Sequence, residues 1–282
     1  MGMSRLTHTS VHRGKRTGAV SIWCWGDAVI GRICICTMAV GLVITAWCRG
    51  AELDGEERDE PTMHLGGGTL ISMKPYVGVD PRIYPVPLFA YEGKRLYLRG
   101  LIGGYRLLMD KGWSIGPVVQ PCFEGYSEDD SSALDGMGER DWSVDAGLGT
   151  SWLTKVGLFD LSGVTDILGR HRGQEVELTY TIMFQCVGFD FVPSAGMRWK
   201  SGNLVDYYYG VRPSEARSGR PAYDGDAALD PFLRLAVRRK ITERWSLLAA
   251  AQYEWLDEEI TDSPIVDVGY DASFIIGMLY SW

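Results

Sequence analysis

Residues 175–184 read EVELTYTIMF, and the alternation within that stretch decides the fold. Glu175, Glu177, Thr179 and Thr181 fall on one side of an extended chain; Val176, Leu178, Tyr180, Ile182 and Phe184 fall on the other. A period of two marks a strand with one polar and one apolar face. The same pattern recurs along the chain. Trp142, Val144, Ala146, Leu148 and Trp152 oppose Ser143, Asp145, Gly147 and Ser151. Leu233, Leu235 and Val237 oppose Arg234 and Arg238, and Leu247, Ala249, Ala251 and Tyr253, between Trp245 and Trp255, oppose Ser246, Gln252 and Glu254. Several of these runs last about ten residues, longer than the ~5–6 usual in soluble sheets and close to the ~9–11 that cross a bilayer.

Two architectures satisfy such a pattern. A soluble sandwich or lipocalin-like barrel turns its apolar face inward, whereas an outer-membrane barrel turns it to lipid around a polar lumen. Three features point to the second. Aromatics sit at the ends of the apolar faces (Trp142 and Trp152, Trp245 and Trp255), where interfacial girdles belong. Full charges such as Glu175, Glu177, Arg234 and Arg238 occupy the polar faces, where a lumen lets opposite charges pair. The chain also ends on a strand that places Phe274, Ile276, Met278, Tyr280 and Trp282 on one face, an ending that resembles the signal read by outer-membrane assembly machinery. The expectation is an all-β, antiparallel transmembrane barrel of about 10–12 strands, closed by the C-terminal strand.

Composition agrees. The 282 residues are 46% hydrophobic and 11% aromatic, with 35 glycines, 14 tyrosines and 10 tryptophans, a balance that suits strands better than helices. A mean hydropathy of -0.06 excludes a protein with several apolar helical spans. The formal net charge of -8 argues against a nucleic-acid partner.

The N-terminus is a different kind of sequence. Residues 1–50 hold six bases and the single acid Asp27, and residues 33–47 (ICICTMAVGLVITAW) form an apolar run of signal-peptide length. Residues 1–50 are read as a signal peptide or leader with cleavage after Gly50, an uncleaved anchor being the alternative. Residues 51–65 form an acidic flexible segment, and 66–282 the barrel, in an outer membrane. Only Cys122 and Cys186 lie beyond the leader, without metal-ligand spacing, so one bridge or two free thiols are both open. His64 and His171 are the only histidines there; a nucleophilic triad would rest on His171 with Ser162 or Asp166. Neither an enzyme nor a bound cofactor or metal is expected.

Strand-like stretches include 84–91, 94–108 and 203–211. Pro85 and Pro87 would each remove a ladder hydrogen bond in a central strand, which makes 84–91 a rim or bulged strand. Asp206, Tyr207, Tyr208, Tyr209 and Arg212 form a candidate interaction loop, the tyrosines read either as a strand end entering an aromatic belt or as a docking surface.

Ordered motifs covering most of the body carry a family resemblance. They are YVGVD at 76–80, VPLFAYEGKRLYLRG at 86–100, GRHRGQEVELTY at 169–180, DYYYGVRPSEA at 206–216, RPAYDGDAAL at 220–229 and TDSPIVD at 261–267. Residues 66–282 thereby resemble the MipA/OmpV family of outer-membrane proteins. The resemblance implies a small barrel in the outer membrane of a Gram-negative bacterium, among lipid and lipopolysaccharide. It also implies either a scaffold joining a lytic murein transglycosylase to a bifunctional murein synthase, or a porin-like or adhesion protein of osmotic and antibiotic response. The family motif contains no catalytic residues to carry over.

Overall fold

The computed structural model describes residues 61–282; the leader and residues 51–60 lie outside the described residues. Strand β1 (Thr62–Met73) begins four positions before the expected barrel start, so Thr62 to Leu65 belong to the wall. It is followed by β2 (Arg82–Glu92), β3 (Leu96–Arg99), β4 (Ile102–Tyr105), β5 (Leu108–Asp110), β6 (Trp113–Cys122), β7 (Ser143–Thr154) and β8 (Gly157–Asp166). The second half holds β9 (Gln174–Thr181), β10 (Phe184–Cys186), β11 (Phe189–Lys200), helix α1 (Gly202–Tyr209), β12 (Ala228–Lys240), β13 (Trp245–Trp255), helix α2 (Glu258–Thr261) and β14 (Tyr270–Ser281).

All ladders are antiparallel between sequence neighbours, and the ring closes because β1 pairs with β14 as well as β2: Leu70 faces Ile275 on one side and Tyr84 on the other. β4 and β5 are one stave interrupted at Arg106–Leu107, and β9 and β10 one stave interrupted at Ile182–Met183, so the 14 segments make 12 staves. Gly66 and Gly68 permit the closure. A Cβ at Gly66 would lie 1.8 Å from the Met278 carbonyl oxygen, and one at Gly68 2.6 Å from that of Ile276.

The alternation maps onto the wall as expected. Leu178, Leu233, Leu235 and Met278 are exposed on the outer face, while Glu175, Arg198, Arg234 and Glu254 are buried inside. Short turns at 93–95, 111–112, 155–156, 187–188 and 241–244 mark one end, together with the start of β1 and the end of β14. Long loops at 74–81, 123–142, 167–173, 201–227 and 256–269 mark the other. In outer-membrane barrels the short turns face the periplasm and the long loops the exterior. Outward aromatics gird both ends. Trp113, Trp152, Phe159 and Tyr180 sit side by side across four staves near the short turns, and Tyr253, Trp255 and Tyr270 cluster near the long loops.

Three local readings change. The stretch 94–108 is a hairpin, β3–β4, turning at Gly100 with φ 62°, rather than one strand. The stretch 203–211 is the helix α1, because Leu204, Val205, Tyr208 and Tyr209 bury one helical face at the top of the lumen. The stretch 84–91 is a full-length strand whose prolines face an edge without a ladder partner.

Candidate functional site in the lumen

The exterior end of the lumen is filled by the long loops. Leu204, Val205, Tyr208 and Tyr209 of α1 pack with Tyr76, Tyr126, Leu134, Met137, Ile260 and Ile265 into one apolar cluster. The Tyr76 ring stacks on Tyr209 at 5.7 Å and meets Tyr126 edge-on at 4.8 Å. A helix leaves its last carbonyls without intrahelical partners. Here Arg140 Nε donates to the Tyr207 carbonyl at 2.6 Å and the Ser263 hydroxyl to that of Tyr209 at 2.5 Å. The candidate loop residues therefore divide. Tyr208 and Tyr209 lie inside the plug, Tyr207 is half-buried, and Asp206 and Arg212 are exposed at the exterior end.

Beneath the plug, opposite charges alternate across the barrel. Glu177 accepts from Arg198 at 2.7 Å and from Arg234 at 2.9 Å, tying β9, β11 and β12 together. Lys200 contacts Asp230 at 2.9 Å and Glu254 at 3.1 Å, and Lys74 contacts Asp271 at 3.0 Å and Glu124 at 3.6 Å. Tyr209 donates to Glu124 at 2.9 Å, which couples the network to α1. Burial alone would raise the Glu124 carboxyl; the facing Lys74 and Lys200 and the Tyr209 hydroxyl hold it well below the usual carboxylate range. Charges buried this way persist only when every partner is present.

Toward the short turns the lumen differs from side to side. On the β11–β2 side Leu88, Val192, Leu248, Ala250, Ile275 and Leu279 fill it. On the β3–β9 side there is a polar cavity with an empty volume of about 910 Å³, open solvent at its mouth included, bounded by Tyr97, Arg99, Gln120, Thr179 and Arg234.

His171 lies neither with Ser162 nor with Asp166. Its Nε2 is 3.0 Å from Asp145, its Nδ1 accepts from the Gly173 N–H at 3.1 Å, and the Cys122 thiol completes a buried trio. The Gly173 contact fixes the proton on Nε2. A metal on Nε2 would need the proton on Nδ1, against that N–H, so the trio reads as a structural clasp between β6, β7 and the 167–173 loop. Sequence separation hid this trio, since Cys122, Asp145 and His171 share no motif. Asp166 accepts instead from the Ser143 hydroxyl and the Leu168, Gly169 and Arg172 N–H groups. Cys122 is buried and Cys186 exposed, both as free thiols.

A twelve-stave barrel with a tyrosine-lined plug accounts for the placement of the ordered motifs. YVGVD, DYYYGVRPSEA and TDSPIVD all converge on that plug. The family described as MltA-interacting protein MipA matches residues 65–282. The chain belongs to this family. It is 29% identical over 248 residues to the MltA-interacting protein of Escherichia coli K12, covering 87% of this chain and 98% of that one. It is 30% identical over 223 residues to the putative outer membrane protein YiaT of the same organism, covering 78% and 90%. The outer membrane protein OmpV of Vibrio cholerae is 28% identical over 183 residues, 64% and 70% of the two chains. Among solved structures, the NanC porin is similar at a TM-score of 0.37 and 13% identity, over 78% of this chain and 98% of that one. As a family member in outer-membrane barrel form, the protein is placed in the outer membrane.

Proposed function

We propose that this MipA-family barrel is a non-catalytic scaffold that holds a murein transglycosylase, and with it a murein synthase, at the outer membrane. The observation that carries this reading is the filled lumen: the plug around α1 and the charge network below it stand where a porin keeps its water path. The name of the Escherichia coli relative supplies the partner class. The side facing murein is the short-turn end, and it is suited to an acidic partner. Its turns carry Lys94, Arg95, Lys111, Lys155 and Arg244 against the single acid Glu243, while the long loops at the opposite end hold 17 acids and 7 bases. Solubilised membranes carrying the tagged full-length protein should retain a lytic transglycosylase. Retention should fall when Lys94, Arg95, Lys111 and Lys155 are replaced by Ser. Failure to retain any murein enzyme after mild cross-linking would refute the scaffold.

A narrow diffusion channel is the second reading, favoured by the polar cavity on the β3–β9 side. It requires the plug to move, and conductance separates the two.

A further inference from the structure

The barrel wall is incomplete at one place. The β3–β4 hairpin stops at Gly100–Leu101, part-way up the wall, while its neighbours β2 and β6 continue toward the long loops. The last backbone bond from the hairpin to β2 runs from Gly100 N–H to the Phe89 carbonyl at 2.7 Å, and the β4–β6 ladder ends at Gly103–Val119. Above these positions no ladder among the described residues joins Arg82–Leu88 of β2 to Gln120–Cys122 of β6. At a rise of about 3.3 Å per residue, the open edge of β2 is roughly 20 Å long.

Both edges of this seam are poor in donors. In a strand the N–H and C=O of one residue point to the same edge. The Phe89 carbonyl faces the hairpin, so the odd-numbered residues of β2 face the seam, and two of them are Pro85 and Pro87. On β6 the Ile115 carbonyl accepts from Leu107 N–H, so odd-numbered residues again face the seam, and the one above the hairpin is Pro121. An unpaired N–H in hydrocarbon costs several kcal/mol, and proline has none to leave unpaired. The same prolines prevent β2 and β6 from zipping together.

The seam borders two unlike environments. Outside it, Ile83 and Leu101 are 68% and 45% exposed on the lipid face. Inside, the polar cavity reaches the foot of the seam on its β6 side, where Arg99 and Ile102 at the hairpin tip and Val118 and Gln120 line it, while Val86 and Leu88 bury an apolar surface behind the β2 edge. Its other walls carry Ser162, Thr179, Thr181 and Ser194 hydroxyls and the Arg234 guanidinium.

We propose that the β2–β6 seam is a lateral portal, through which the acyl chain of an outer-leaflet amphiphile enters the lumen while its polar head is received by the cavity. The portal does not depend on the scaffold reading. The test places a photoreactive benzophenone amino acid at Gln120, inside the wall behind the seam, in full-length protein. A control carries it at Leu248, inside the wall behind intact ladders, and both go into phosphatidylethanolamine–phosphatidylglycerol vesicles. Illumination should give lipid adducts several-fold more often at Gln120 than at Leu248, read by mass spectrometry. Replacing Pro85, Pro87 and Pro121 together by Val should lower the Gln120 yield. A nitroxide on Gln120→Cys gives an independent readout that needs no proline change: it should be relaxed by oxygen as lipid-exposed sites are. Equal, background adduct yields at the two positions, or a nitroxide relaxed only by a polar agent, would overturn the portal.

Discussion

Arg140 and Glu215, 75 residues apart, meet in a two-point ion pair at 3.0 and 2.8 Å within the plug. Their side chains are 1% and 6% exposed. The pair fastens the 123–142 loop to the 201–227 loop, and Gly138 N–H adds a third bond to the same carboxylate at 2.8 Å. Since Arg140 also holds the last turn of α1 through the Tyr207 carbonyl, one guanidinium joins three parts of the plug.

Removing Glu215 should therefore release the plug without unfolding the barrel. Breaking one side of a buried pair costs about 3–5 kcal/mol. Glu215→Ala is expected to make the Arg217–Ser218 bond readily cleaved by trypsin in intact protein while heat-modifiable gel migration persists. Unchanged resistance to trypsin would show that the pair does not hold the loops.

The same carboxylate gives the plug a pH limit. Burial would raise Glu215, but the bonds from Arg140 and from the Gly138 and Arg212 N–H groups outweigh it and hold the group at about 2. A carboxylate with a depressed folded pKa contributes its stability in full above the unfolded value of about 4.3, and loses it as pH falls toward the folded one. Near-ultraviolet circular dichroism of the tyrosine cluster should be flat from neutral pH down to about 4.5 and change between there and about 2. A transition centred near neutrality would contradict this assignment.

Within the lumen, Glu177 should matter more than either cation it binds. Glu177→Ala leaves the buried Arg234 without a carboxylate and Arg198 with Glu254 and Glu175, whereas Arg234→Ala leaves Glu177 with Arg198. The first variant should lose about 3–5 kcal/mol and the second clearly less, measured by urea unfolding in detergent. The reverse order would mean that the network is not organised on Glu177.

The outward row on β14 gives a prediction for assembly. Phe274, Ile276 and Met278 are exposed to lipid, and Trp282 is 65% exposed beyond them. If this row is the sorting signal, Trp282→Ala with Tyr280→Ala should sharply lower the fraction recovered in outer-membrane preparations. The barrel that does insert should keep its stability. Normal recovery would assign the row to the wall alone.

Much of this fold was legible because a barrel wall writes its two environments into alternate residues. Glu175, Glu177 and Arg234 face the lumen and Leu178, Leu233 and Met278 face outward, as the period of two implies. The expected strand total came close for a mixed reason. The stretch 203–211 added a strand that is a helix, while 94–108 concealed a hairpin of two. The helix did leave a trace: Leu204 with Tyr208 and Val205 with Tyr209 are each four apart, the spacing of one helical face. Three adjacent tyrosines outweighed it, because aromatic residues favour strands. Pro85 and Pro87 signalled a rim or a bulge, whereas they lie on the open edge left because the neighbouring hairpin stops short. The site was far less legible. Arg140–Glu215 and Asp145–His171 join segments remote in sequence, and only closure of the ring brings them together.

Conductance of the purified full-length protein in planar bilayers tests the central claim, a barrel whose lumen is filled. A silent bilayer is expected under conditions where a variant lacking residues 203–226 gives discrete current steps. Steady unitary currents from the intact protein would contradict it.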